Sequence, residues 1–329
     1  MKENFNSIDL FKFLMAIVVV AFHTNPFADC KSVLVNEIMV VIADLSVPFF
    51  FIASGYFLAL CWGDTSQQRE RYIYKTLISA FRLYVVWTLL SLPLTIYGYV
   101  ISGESIAHCV FSYIKYFFFV GKLYNSYHLW YLLAMIYALM AMWILIHYGK
   151  NTRHILLASV FFYIVYLAFA WIRQSDSTGG LLSAIGSAFD FVFNKGGVFV
   201  GMLYMSIGIL FREHRRIKPL VSVAGIAVSI LVRYQLSQEL GNILCSVMLF
   251  AVILNIKLPD HPCYFTLRRL SKYIYLSHLI CFSVYTFVII DQPNKLGVDS
   301  FLVTFFLSAV IAAVIIYVNG LLKIVRKGA

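Results

Sequence analysis

Charged residues are scarce in this chain. Only 12% of its 329 residues are Asp, Glu, Lys or Arg, whereas 61% are hydrophobic, and the mean hydropathy is +0.84. Because soluble domains carry about 25% charged residues, this composition excludes an ordinary soluble globular protein. It predicts an all-α, polytopic membrane protein, since helices satisfy their own backbone hydrogen bonds in lipid.

Acidic residues are the rarer of the two signs. The 15 Asp and Glu stand against 26 Lys and Arg, which gives a formal net charge of +11. The cations form short clusters between apolar runs, where the positive loops of a membrane protein carry them. We therefore expect a lipid bilayer as the surrounding partner and no nucleic acid.

Cysteine pairs with metal-site or redox spacing are absent. The six cysteines, at positions 30, 61, 109, 245, 263 and 281, include no CxxC pair and predict no metal site. We expect them to be small packing residues, and a disulfide between Cys30 and Cys109 stays open. A cleavable signal peptide is not expected, because Lys12 interrupts the first apolar run and no small-x-small cleavage pattern follows.

About ten segments are long and apolar enough to cross a bilayer. They cover roughly 7–24, 36–62, 74–101, 127–148, 154–172, 196–211, 218–236, 240–256, 272–290 and 300–323. The shorter piece 106–120 predicts an exterior or re-entrant amphipathic helix, and 173–195 an exterior loop.

This count predicts the topology. With the N-terminus inside, most of the 26 Lys and Arg fall on the inner side, as the positive-inside rule requires. Both termini are therefore predicted to be cytoplasmic. We expect residues 1–329 to form a single transmembrane domain in the plasma membrane of a bacterium.

The first span carries ionisable side chains on one face. Lys12 and His23 are three helical turns plus roughly 20° apart, so they lie on one line about 16 Å apart. Asp9 lies one turn before Lys12 and leans to the same side. Ionisable residues within a span indicate a functional site, whereas the simpler alternative is an interfacial anchor pair and a boundary histidine.

Four stretches together resemble the acyltransferase-3 family of integral membrane proteins. They are Lys12 and His23 with ten residues between them, Val47–Tyr56 (VPFFFIASGY), His128–Tyr131 (HLWY) and Tyr273–His278 (YIYLSH). They stand in family order across nearly the whole chain. Lys12 takes the place of the family's arginine, Asp44 lies where many members carry a basic residue, and His278 is followed by leucine instead of proline.

Within that family, VPFFFIASGYF, YHLWYLLAMIYAL and the stretch 194–212 are similar to the membrane domain of the serine racemases of vancomycin (glycopeptide) resistance. The resemblance implies a cytoplasmic racemase domain as partner, with pyridoxal phosphate bound only by that domain. Our first hypothesis is accordingly that the chain takes up or presents L-serine. A zwitterion needs partners of both signs, which Lys12 with Asp9 or Asp44 supplies.

The second hypothesis is an O-acyltransferase that uses acyl-CoA, such as acetyl-CoA, to modify an extracytoplasmic sugar or cell-wall hydroxyl. The resemblance then makes His23 the catalytic base and Lys12 a catalytic cation. The phosphates of the donor would be bound by a cluster that is otherwise an ordinary positive loop: Arg69, Arg71, Lys75 and Arg82. A third hypothesis is a membrane anchor for the racemase.

Six further residues are candidate substrate-binding groups. They are Ser54, His128, Trp130, Tyr131, Tyr275 and His278. Each has a structural alternative: Ser54 a close helix contact, Trp130 and Tyr131 interfacial aromatics, and His128 a headgroup-level residue. Tyr275 and His278 are three residues apart on one helical face, within an apolar run, which favours a cavity-lining position.

Overall fold

The computed structural model describes residues 5–174, 180–193, 197–214 and 217–328, and within these ranges it is helical and contains no strand. The helices are α1 Asn6–Thr24, α2 Val33–Cys61, α3 Ser66–Ser102, α4 Ile106–Lys115, α5 Trp130–His147, α6 Thr152–Gln174, α7 Leu181–Phe193, α8 Gly197–Glu213, α9 Pro219–Gln235, α10 Gln238–Asn255, α11 Cys263–Ser283 and α12 Val298–Gly328. The predicted all-α, polytopic membrane architecture is confirmed.

Eight helices in the described part of the chain are long and apolar enough to cross a membrane. The predicted spans 196–211 and 218–236 correspond to α8 and α9, which have 17 residues each. Segment 106–120 is α4 followed by a π-helical turn, Tyr116–Val120. The prediction of one loop over 173–195 was wrong, because Leu181–Phe193 forms α7; residues 175–179 and 194–196 lie outside the described ranges.

Helix α3 has 37 residues and is roughly 55 Å long, well beyond the ~30 Å of a hydrocarbon core. It begins with a capping box: Thr65 Oγ1 accepts from the Gln68 backbone N–H, and Gln68 Oε1 accepts from the Thr65 N–H, each at 3.2 Å. Its excess length allows the polar first turns to extend past the apolar part of the helix, so basic residues there remain hydrated.

The chain forms two compact units, and the boundary falls inside α2. The first unit comprises residues 1–50 and 216–329, and the second comprises 51–215. In the first, α1 packs on α10, α11 and α12, while α9 pairs with α10. In the second, α5 packs on α3 and α8, and α6 on α7 and α8. Each unit carries part of the predicted site.

Proline interrupts two of the long helices. Pro48 lies inside α2 and Pro93 inside α3. A proline has no N–H to give to the carbonyl four residues earlier, so the carbonyls of Asp44 and Leu89 lose their helical partner. In α2 this places the break one turn from the Asp44 side chain.

All six cysteines of the chain are free thiols.

Candidate functional site

The seam between α1 and α11 in the first unit has a charged end. Asp9 on α1 is 5% exposed, and its Oδ1 is 3.5 Å from Nε of Arg268 on α11. Lys12, one turn after Asp9, interacts electrostatically with both Asp9 and Arg268. One carboxylate therefore lies beside two cations at this end of the seam, and ionisable groups inside a membrane helix indicate a functional site.

The other end of the same seam holds two imidazoles. The rings of His23 on α1 and His278 on α11 are stacked, with centroids 5.2 Å apart and planes inclined by 20°. His278 is fully buried, and its Nδ1 is 2.6 Å from the carbonyl oxygen of Tyr275. Because a carbonyl only accepts, Nδ1 of His278 carries the proton and Nε2 is the acceptor nitrogen.

Aromatic side chains enclose this imidazole end. The ring of Tyr275 lies 5.9 Å from that of His278 and 5.6 Å from that of Phe50. The structure thus brings His23 of the first motif together with Tyr275 and His278 of the YIYLSH motif. Since Lys12 and His23 share α1, the seam joins a cationic end to an imidazole end along one helix.

Asp44 belongs to a different cluster of the first unit. Its Oδ2 is 2.9 Å from Nη2 of Arg233 and accepts from Gln238 Nε2 at 3.3 Å and Asn242 Nδ2 at 3.4 Å. The Arg233 guanidinium also donates to the side-chain oxygen of Asn242. Of the two carboxylates considered as partners of Lys12, Asp9 interacts with it electrostatically, while Asp44 lies in this separate cluster.

Two motifs meet in the second unit. Ser54 Oγ is 3.1 Å from the hydroxyl of Tyr131, whose ring lies 4.5 Å from that of Phe51. The neighbouring Gly55 makes a close helix contact, because an added Cβ there would lie 1.9 Å from the Met205 carbonyl oxygen. A phenol is a poor base at neutral pH, so this hydrogen bond orients Ser54 and does not activate it as a nucleophile.

His128 and Trp130 precede Tyr131 in the HLWY motif but contact other residues. His128 is 2% exposed, in a single 3-10 turn, Tyr127–Leu129, that precedes α5. The Trp130 ring lies 6.3 Å from that of Phe51 and meets Gly197, where an added Cβ would be 3.0 Å from it. His128 is therefore enclosed by protein, whereas Trp130 is half-buried.

The predicted phosphate-binding cations lie along α3. Arg69 is held by the Gly63 carbonyl, 3.3 Å from its Nε, and its guanidinium lies 5.2 Å from the centre of the Trp62 ring. Arg71, Lys75 and Arg82 are exposed and recur at helical spacing, so they form one basic stripe. Exposed guanidinium and ammonium groups of this kind can pair with anionic groups such as phosphates.

Two arginines that contact predicted site residues were not among the residues predicted from the sequence: Arg268, beside Asp9, and Arg233, beside Asp44. A signal existed for Arg233, because it is a charged residue within the apolar run 218–236. For Arg268 the signal was weaker, since it lies in the basic pair Arg268–Arg269 in the first two turns of α11.

Comparison with known proteins identifies the family. A family model described as an acyltransferase domain (type 3) matches residues 5–318. The chain belongs to the acyltransferase-3 family. No solved structure matches it.

Several relatives of this acyltransferase-3 chain are named as racemases. Two amino-acid racemases of Enterococcus faecalis are 27% and 30% identical over 63% and 64% of this chain, which corresponds to 28% and 29% of their own length. A serine/alanine racemase of Enterococcus gallinarum is 26% identical over 66% of this chain and 30% of its own length. The chain thus matches less than a third of each relative.

Proposed function

We propose that this acyltransferase-3 chain transfers an acyl group from acyl-CoA to the hydroxyl of an extracytoplasmic sugar or cell-wall polymer. The observation that carries the proposal is the stacked pair His23 and His278 at one end of the α1–α11 seam, with Lys12 and Arg268 at the other. Acyl transfer needs a base for the acceptor and a cationic partner for the donor, and the seam supplies both.

His23 is the proposed general base. It removes the proton of the acceptor hydroxyl while that oxygen forms a bond to the acyl carbon of the thioester. The carbon–sulfur bond then breaks, and the proton passes from His23 to the departing thiolate of coenzyme A. His278, whose tautomer is set by the Tyr275 carbonyl, is a positioning residue that holds the His23 ring by stacking.

The donor's phosphates are assigned to the basic stripe of α3, with Arg69 beside it. Phosphate oxygens pair well with guanidinium and ammonium groups that remain exposed at a membrane surface. Lys12 is assigned to the arm of the donor between its phosphates and the acyl group that reaches His23, and it takes the place of the arginine of the family's motif. In the predicted topology, α3 begins on the cytoplasmic side of the bacterial plasma membrane, where acyl-CoA is made.

Turnover of acetyl-CoA by the purified chain in lipid nanodiscs tests the proposal. We expect His23→Ala to lower kcat by at least about 100-fold, because loss of a general base typically costs 10²–10⁴-fold. Lys12→Arg should retain or raise activity. His108→Ala, which removes an exposed histidine of α4, is the matched control. If the His23→Ala variant hydrolyses acetyl-CoA or transfers its acetyl group at the wild-type rate, the assignment of His23 as the general base is wrong.

A second function is favoured by the charged end of the seam. Asp9 offers a partner for an ammonium group, and Lys12 with Arg268 offers partners for a carboxylate, so the cluster is complementary to an amino-acid zwitterion. In this alternative the chain takes up or presents L-serine to a cytoplasmic, pyridoxal-phosphate-dependent racemase domain, as in vancomycin resistance. The racemase names of its relatives support it.

Uptake of radiolabelled L-serine by cells that express the chain separates the two functions. Uptake above a vector control, lost in Asp9→Asn, supports serine handling. Absence of uptake, with the protein confirmed in the membrane, leaves acyl transfer or a simple membrane anchor for the racemase. The His23→Ala experiment then distinguishes acyl transfer from an anchor.

A further inference from the structure

A surface pocket of about 520 Å³ lies in the second unit, between the beginning of α3 and the end of α5. Gln67, Glu70, Arg71 and Tyr74 of α3 line it on one side, and Trp143 of α5 on the other. Its volume falls within the range of small-molecule sites. None of the motifs that identify the family contributes a side chain to it.

Aromatic rings form one wall of this pocket. The rings of Tyr74 and Trp143 have centroids 6.0 Å apart, and the imidazole of His147 stacks on Trp143 at 5.5 Å with planes inclined by 27°. His147 is fixed in turn by Glu70, whose Oε1 is 2.9 Å from its Nδ1. The imidazole of His147 therefore packs against the indole of Trp143, and the indole can stack with a planar ring of a ligand.

Hydrogen-bonding and cationic groups stand next to the platform. The exposed amide of Gln67 presents a donor and an acceptor side by side, the pair that reads the N6 and N7 edge of adenine. Arg71 lines the same pocket, and Lys75 is exposed one helical turn further along α3. The one carboxylate of the lining, Glu70, is engaged by His147, so Arg71 in the lining and Lys75 beyond it supply the positive charge for phosphates attached to a base.

We propose that this pocket binds the adenine nucleotide end of the acyl donor, with the base stacked on Trp143 and Tyr74, its edge on Gln67, and its phosphates on Arg71 and Lys75. This inference rests on the proposed acyl transfer, and it adds that the pocket recognises the adenine nucleotide of the acyl donor. A phospholipid headgroup shares the phosphates but has no planar base, so the aromatic platform and the amide favour a nucleotide.

Binding of adenosine 3′,5′-bisphosphate, which carries the nucleotide of coenzyme A without its thiol arm, tests the pocket directly. With the full chain in nanodiscs, we expect Trp143→Ala to weaken this binding about tenfold, which lies within the range that stacking of one base on an aromatic ring contributes. Trp143→Phe should keep most of the affinity because it keeps a ring. Trp171→Ala, which removes a tryptophan that is 68% exposed on α6, is the matched control.

The kinetic arm uses two donors. Trp143→Ala should raise KM for acetyl-CoA about tenfold and change kcat by less than about twofold, while KM for acetyl-pantetheine, which lacks the nucleotide, stays the same. Equal losses for the two donors, or a Trp143→Ala affinity equal to that of wild type, would overturn the inference. Loss of nucleotide binding on adding phosphatidylglycerol to the nanodiscs, with no effect of Trp143→Phe or Trp143→Ala, would assign the pocket to lipid instead.

The two proposals fail in different ways. If the wild-type chain consumes no acetyl-CoA but binds adenosine 3′,5′-bisphosphate in a Trp143-dependent way, acyl transfer is wrong and the nucleotide pocket stands. If acetyl-CoA is consumed and Trp143→Ala has wild-type KM, acyl transfer stands and the pocket is wrong. Melting curves of each variant confirm that the changes do not come from unfolding.

Discussion

Two clusters of the first unit pair a carboxylate with arginine, and they differ in the distance of the pair and in the exposure of the arginine. In the Arg233–Asp44 cluster the guanidinium side chain is 6% exposed, its partner carboxylate lies at 2.9 Å, and Asn242 and Gln238 add hydrogen bonds. In the Asp9 cluster the carboxylate side chain is 8% exposed, Arg268 lies at 3.5 Å with 40% of its side chain exposed, and Lys12 adds a second cation.

The difference separates a structural pair from a candidate site. The Arg233–Asp44 cluster is neutral and its members satisfy one another, so it ties α2 to the α9–α10 hairpin. In the Asp9 cluster the arginine contact is longer, at 3.5 Å, and the Arg268 side chain is 40% exposed, so a ligand can reach its guanidinium. The interest of a charged residue in a membrane helix thus depends on how tightly its partner is held and on whether solvent reaches the pair.

The largest expected effect comes from breaking the tight pair. Asp44→Asn leaves the buried Arg233 guanidinium without a counter-charge, and we expect it to lower the free energy of unfolding by about 3 kcal/mol. The double variant Asp44→Leu with Arg233→Met should recover most of that loss, because it removes both charges. Thermal unfolding in detergent measures both. An Asp44→Asn variant as stable as wild type would show that the pair is not structural.

A smaller effect on stability, but a larger one on function, is expected in the looser cluster. Asp9→Asn should cost about 1 kcal/mol or less, because Arg268 remains partly hydrated. If the chain transfers acyl groups, turnover of acetyl-CoA should persist; if it handles serine, uptake should be lost with the ammonium partner. Asp29→Asn, which changes an exposed carboxylate after α1, is the control. Loss of acetyl-CoA turnover in Asp9→Asn alone would refute this division.

The smallest effect is expected at an exposed pair of the same unit. Lys295 Nζ is 2.6 Å from Asp299 Oδ2, with both side chains about two-fifths exposed. The hydrogen bond to Asp299 raises the pKa of Lys295, so whatever stability the contact adds is present at neutral pH and is lost only as the pH rises through that raised pKa. Lys295→Gln should therefore leave the melting temperature nearly unchanged at pH 7, and wild type should show no Lys295-dependent change between pH 6 and 9. A marked drop for Lys295→Gln would contradict the ranking of the three pairs.

The sequence by itself determined the helical, membrane-spanning class. A segment that crosses lipid must be apolar and must satisfy its own backbone hydrogen bonds, so long apolar runs predict helices. It also determined that Lys12 and His23 lie on one face of α1, since that follows from the helical repeat alone. The family motifs were equally visible, as each is a short local pattern. The longest apolar runs therefore predicted helices well, whereas Leu181–Phe193, short and next to serines and glycines, was missed.

Only the tertiary structure decided which charges and rings meet. Arg268 lies far along the chain from Asp9, and His278 equally far from His23, so their contacts depend on how α11 packs against α1. The same holds for Asp44, whose partner Arg233 could not be chosen among the many cations by spacing. The helical repeat determines which residues share one face of a helix. The packing of helices determines which residues of other helices contact that face, because rotating a helix by one residue places a different side chain in the contact.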